Sequence, residues 1–130
     1  MKVMIVDDNA EMRALIRSLL RGVATDVFEC GDGAAAVSAY ASKQPDWTVM
    51  DVMMPRVDGI SATRIIKQRF PDSRILIITQ HENPRLEETA REAGATAFLS
   101  KEQLLELTSI LAVPSHDTST RTLSETDQPL

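Results

Sequence analysis

Four short apolar runs in this 130-residue chain each end abruptly in a group able to carry or bind charge. Met1–Val6 stops at Asp7-Asp8, Trp47–Met50 at Asp51, Ile75–Ile78 at Thr79, and Ala97–Leu99 at Ser100-Lys101. In an open parallel α/β sheet the carboxyl ends of the strands share one rim, and ligands bind in the crevice beside it where the strand order reverses. Three carboxylates brought within about 4–6 Å there would repel one another by several kcal/mol, so they need either protons or a cation. An all-oxygen site with room for water suits Mg2+, which commonly joins one or two carboxylates to a phosphate group. Taken singly, the same residues have plain readings: Asp8 or Asn9 as a helix cap, Asp51 as a turn residue, Thr79 as a β-branched strand residue, Lys101 as a solvated charge. Their coincidence at four strand ends outweighs those readings.

The elements that must position these groups follow from hydrophobic period. Lys2–Val6 precedes Ala10–Leu20, where Met12, Leu15, Ile16 and Leu19 recur at helical spacing and leave Arg13, Arg17 and Arg21 on the opposite, solvated face. Asp26–Cys30 reads as a second strand and Ala34–Ser42 as an alanine-rich helix. Trp47–Met50 leads into the loop Asp51–Asp58 and a helix over Gly59–Phe70. Arg74–Ile78 is continuously apolar after its first residue and is expected to be covered on both faces. Asn83-Pro84 opens the next helix, Ala97–Leu99 is a short fifth strand, and Ser100-Lys101-Glu102-Gln103 matches a capping box opening a last helix to about Val113. Leu104, Leu105, Leu107, Ile110 and Leu111 exceed one buried stripe, and a broad core-facing stripe is the expected reason. Five strand–helix units predict a doubly wound α/β fold with a five-stranded parallel sheet, and the order 2-1-3-4-5, known from flavodoxin-like folds, places the reversal between the first and third strands.

Composition narrows the function. The chain is 43% hydrophobic and 25% charged, ordinary for one globular domain, with no apolar stretch long enough to cross a membrane and no signal-type segment after Met1-Lys2. A cytoplasmic protein is expected. A net charge of −5 gives no electrostatic footprint for nucleic acid, so this chain alone is not expected to bind it. Cys30 is the single cysteine, which excludes an internal disulfide and a cysteine metal cluster. Residues 1–113 read as one domain and 114–130, rich in Ser, Thr, Asp and Gln, as a disordered tail or the start of a linker.

From Lys2 to about Val113 the chain resembles the receiver domain of two-component response regulators, the CheY-like family. The resemblance is carried by Asp7-Asp8, by Asp51 in Asp51-Val52-Met53-Met54-Pro55-Arg56-Val57-Asp58-Gly59, by Thr79 and by Lys101. It implies that Asp51 accepts a phosphoryl group. Asp8, Asp51 and the Met53 backbone carbonyl would hold Mg2+, with Asp7 acting through a water, while Lys101 and Thr79 would contact the phosphoryl oxygens. It further implies a phosphohistidine donor on a sensor histidine kinase or phosphotransfer protein, and a switch in which Thr79 moves and Phe98 turns inward. The output would be a protein target at the face of the fourth helix, fifth strand and fifth helix, with homodimerisation on phosphorylation as one outcome the family allows. By the same resemblance the chain is a phospho-acceptor switch rather than an enzyme.

Four positions depart from the family's usual pattern or tune it. Gln80 stands where a small residue is usual and is expected to crowd the mouth of the site; Met53 and His81 flank it at the positions that tune phosphoryl lifetime. Glu102 replaces the proline that commonly follows the lysine, so a trans peptide is expected there. Two other function classes stay open: the amino-terminal half of a DNA-binding regulator, and an aspartyl-phosphate hydrolase. The hydrolase would need an aspartate two residues after Asp51, where this chain has Met53.

Overall fold

The structure, a computed structural model, describes residues 1–80 and 83–112. His81 and the stretch 114–130 therefore lie outside the described residues. All five expected strands form, as β1 (Lys2–Val6), β2 (Asp26–Cys30), β3 (Trp47–Asp51), β4 (Ile75–Thr79) and β5 (Ala97–Ser100). They make one parallel sheet in the order β2-β1-β3-β4-β5, with the reversal between β1 and β3. β3, β4 and β5 each run one residue beyond the apolar stretch and so include Asp51, Thr79 and Ser100. Pairing is made by the backbone, so the ladder continues through a polar residue: Asp51 stands opposite Ile78, and Thr79 opposite Ser100.

Strand alternation divides the core in two. Val3, Ile5, Trp47, Val49, Leu76, Ile78 and Leu99 face one cluster, closed by Ile16 and Leu20 on one side and by Leu104, Leu107 and Leu111 on the other. Met4, Val6, Met50, Ile75 and Ile77 face the second cluster, closed by Ala36, Tyr40, Ile60, Ile66 and Ala90. Both faces of β3 and β4 are thus covered, and every residue of each is buried.

Four α-helices begin where a short polar side chain caps them: α1 (Ala10–Leu19) after Asn9, α2 (Gly33–Lys43) after Asp32, α3 (Gly59–Arg69) after Asp58, and α4 (Pro84–Glu92) after Asn83. Each cap accepts a first-turn N–H at 2.8–3.0 Å and contributes about 1 kcal/mol. The last helix differs from the expected regular one. Lys101–Glu106 is a 3-10 segment interrupted at Gln103 (φ −100°, ψ 19°), and only α5 (Leu107–Leu111) is α-helical. The tighter winding of three residues per turn aligns Leu104 with Leu107 on the core. Ile110 packs at the edge of the same cluster, so the broad stripe holds for four of the five residues, while Leu105 is 82% exposed. No cis peptide occurs among the described residues, in line with the expected trans bond before Glu102. No helix among them is long and apolar enough to cross a membrane.

Candidate functional site

The β1–α1 loop carries Asp7 and Asp8. Asp7 is buried, and one of its carboxylate oxygens accepts from the Asn9 N–H at 2.8 Å. Asn9 is also the residue that caps α1, so capping does not account for Asp8, which is exposed. The loop is held from behind by a group not anticipated from the helical projection. Arg13 donates through Nη1 to the Asp7 carbonyl at 2.6 Å and through Nε to Glu29 at 2.8 Å, while Arg17 Nε reaches the other Glu29 oxygen at 2.7 Å. Arg13 and Arg17 therefore do not simply face solvent, as their place on α1 suggested. Their hydrogen bonds hold the Glu29 carboxyl below its ordinary range, Arg17 foremost.

The loop after Asp51 is set by two glycines and one strained residue. The Gly59 N–H donates to Val52 O at 2.9 Å, and a Cβ at Gly59 would lie only 1.9 Å from the Asp51 carbonyl oxygen. The Gly33 N–H donates to Val57 O at 3.1 Å, and a Cβ there would lie 2.1 Å from the same oxygen. Between them Arg56 adopts the left-handed region (φ 69°), held by an ion pair to Asp32 at 3.3 Å. The start of α2 thus braces the loop that carries Met53, whose side chain is 73% exposed.

These supports bring the expected carboxylates together. One oxygen from each of Asp7, Asp8 and Asp51 lies within 4.8 Å of the others. Lys101 Nζ stands 3.5 Å from Asp51 Oδ1 and 3.7 Å from Asp7 Oδ2, ion-pair distances rather than short hydrogen bonds. One ammonium does not offset three carboxylates in a half-dry crevice. Burial, with the Asp7 charge second, pushes the Asp51 carboxyl up to about 6 against the pull of Lys101. Burial raises Asp7 as well, against the Asn9 N–H and Lys101. An all-oxygen donor set short of positive charge fits Mg2+.

Thr79, buried at the end of β4, shares this rim, because Ile78 just before it accepts the Val52 N–H at 3.2 Å. Gln80 follows and is exposed. Phe98 lies on β5, half-buried against the second core cluster, where it lines a crevice of about 20 Å³ with Glu87, Arg91 and Ala95. Beside Lys101, the Gln103 amide oxygen accepts from the Ser100 N–H at 3.1 Å and the Ser100 hydroxyl at 3.3 Å. The capping-box spacing signals that contact; nothing in the sequence signals the Arg13 contact except charge complementarity with Glu29.

Residues 3–112 match the family model described as the response regulator receiver domain. Chemotaxis protein CheY of Bacillus subtilis (strain 168) is 37% identical over 101 residues, covering 77% of this chain and 84% of that one. Response regulator MprA of Mycobacterium avium (strain 104) is 34% identical over 106 residues, 82% of this chain and 46% of MprA. Among solved structures, a two-component response regulator of the LuxR family from Aurantimonas sp. SI85-9A1 superposes with a TM-score of 0.77 at 33% identity, covering 95% of this chain and 96% of that one. The chain spans about half the length of several of its curated relatives, MprA among them.

Proposed function

The chain belongs to the response regulator receiver domain family of two-component signalling, and on that premise we propose that it is a phosphorylation-dependent switch with Asp51 as acceptor. Receiver domains as a class are signalling switches rather than catalysts, and they bind Mg2+ in an acidic pocket. The observation that carries the reading is the meeting of Asp7, Asp8, Asp51 and Lys101 from three strand ends.

In the proposed reaction an Asp51 carboxylate oxygen attacks the phosphorus of a phosphohistidine on a sensor kinase or phosphotransfer protein. A P–O bond forms as the P–N bond breaks, and the imidazole leaves with the electron pair. Bound Mg2+, held by Asp8, Asp51 and the Met53 carbonyl with Asp7 behind a water, would supply neutralisation of the phosphoryl oxygens. Lys101 contributes a second positive charge and Thr79 a hydroxyl donor to those oxygens. Burial of Asp51 limits access of water to the acyl phosphate. Met53, exposed and apolar, offers no hydrogen bond to an attacking water; the exposed Gln80 would narrow the mouth with its amide turned over the pocket, and His81 is assigned the other flanking place. The movement of Thr79 toward the phosphoryl group would let Phe98 leave its crevice beside α4, biasing the α4–β5–α5 face toward a protein target.

We place the domain at residues 1–113. Relatives at least about twice as long as the matched stretch that are described as transcriptional regulators, one of them DNA-binding, favour a second reading, in which the chain is the amino-terminal receiver of a DNA-binding regulator; the switch chemistry is the same in both. The hydrolase reading is set aside because position 53 is methionine.

Incubation with acetyl phosphate and Mg2+, read by intact mass, is expected to add one phosphoryl group to the wild-type chain and none to Asp51→Asn. A gain in the Asp51→Asn variant, or none in wild type, overturns the assignment.

A further inference from the structure

Lys101 leaves β5 and sends its ammonium across the sheet to within 3.5 Å of Asp51. A flexible four-carbon stem does not hold such a place unaided, so the exit of the backbone from β5 has to be fixed. β5 is an edge strand, and Ser100, its last residue, is buried. Glu102 follows Lys101, so no proline ring stiffens this turn. What closes it is the Gln103 side chain, whose one amide oxygen receives both the Ser100 N–H at 3.1 Å and the Ser100 hydroxyl at 3.3 Å. Gln103 is also the residue at which the helical backbone is interrupted. The residues before and after Lys101 are thereby clasped to each other.

We infer that Gln103 is a positioning residue for Lys101. The acceptor oxygen of its amide, rather than its bulk, sets the strand exit that keeps the ammonium beside Asp51. The inference rests on Asp51 being the phosphoryl acceptor.

Two variants of the full chain separate the acceptor from the bulk. Gln103→Met keeps the length and removes the acceptor; Gln103→Glu keeps an acceptor. With both confirmed as folded by thermal melting, phosphorylation by acetyl phosphate in Mg2+ is expected to be about three- to tenfold slower in Gln103→Met, the effect of losing one or two ordinary hydrogen bonds, and within about twofold of wild type in Gln103→Glu. Without any phosphodonor, the 15N heteronuclear NOE of the Ser100 and Lys101 amides is expected to fall in Gln103→Met and to persist in Gln103→Glu. A folded Gln103→Met with the wild-type rate overturns the inference, whatever its NOE, and so does a Gln103→Glu as slow as Gln103→Met. A wild-type chain that takes no phosphoryl group counts against the acceptor assignment instead, and the NOE arm then judges the clasp by itself.

Discussion

Asp51 is held where its own charge is costly, and that cost has a measurable pH dependence. Its carboxyl titrates near 6 in the folded chain against an ordinary value of 3.8. The folded state therefore binds the more protons between these values, so the Asp51 contribution to stability is fully present below about pH 4 and is lost as pH rises through 6, on the order of 2–3 kcal/mol in all. Glu29, whose carboxyl is held low, acts in the opposite sense and only at acid pH. The difference between Asp51→Asn and wild type isolates the Asp51 part. In metal-free buffer the variant is expected to melt higher than wild type at pH 7 and nearly equal to it at pH 4; a constant gap across that range contradicts the charge argument. Gln80 offers a second test at this scale. If its amide lies over the pocket, Gln80→Ala speeds both phosphorylation by acetyl phosphate and loss of the phosphoryl group, and identical time courses remove it from the site. Asp7, Asp8, Asp51, Thr79 and Lys101 were legible because each ends an apolar run. Arg13 was not, because helical projection locates a Cα while a long guanidinium reaches across to a neighbouring strand.

At the scale of elements, the strands were legible from contiguous apolar residues and the helix starts from local caps, since both signals act within a few residues. In the last helix the capping box forms as its spacing predicts, with the Gln103 side chain reaching back to the Ser100 N–H. What the start signal does not display is that the turn it opens is 3-10 wound with non-helical angles at Gln103, so that α-helix begins only at Leu107. The β3–α3 loop depends on contacts distant in sequence, which no local pattern displays. Gly33 is one such place: a Cβ would meet the Val57 carbonyl oxygen at 2.1 Å, and both partners are backbone. Gly33→Ala is expected to cost about 2 kcal/mol or more in urea denaturation, through displacement of the loop bearing Met53. Gly22, with open space around it and φ +83°, supplies the contrast, its alanine variant costing about 1 kcal/mol through backbone strain alone. Equal losses at the two sites would show that the close approach is not what Gly33 serves.

For the whole molecule, one sheet gathers three strand ends into a charged rim while its two faces bury separate apolar clusters, so chemistry at the rim is supported by a core it does not enter. The described elements end at Leu111 and the family match at residue 112. A chain cut after Val113 is accordingly expected to keep the melting temperature and the phosphorylation rate of the full sequence, and a fall in either places the domain boundary further on. The central claim concerns where a phosphoryl group comes to rest, and reduction reads that directly. Borohydride converts an aspartyl phosphate to homoserine, and peptide mass mapping locates the converted residue. After treatment with acetyl phosphate and Mg2+, homoserine is predicted at position 51 and nowhere else; homoserine at another aspartate, or at none in a chain that has gained phosphoryl mass, contradicts the account.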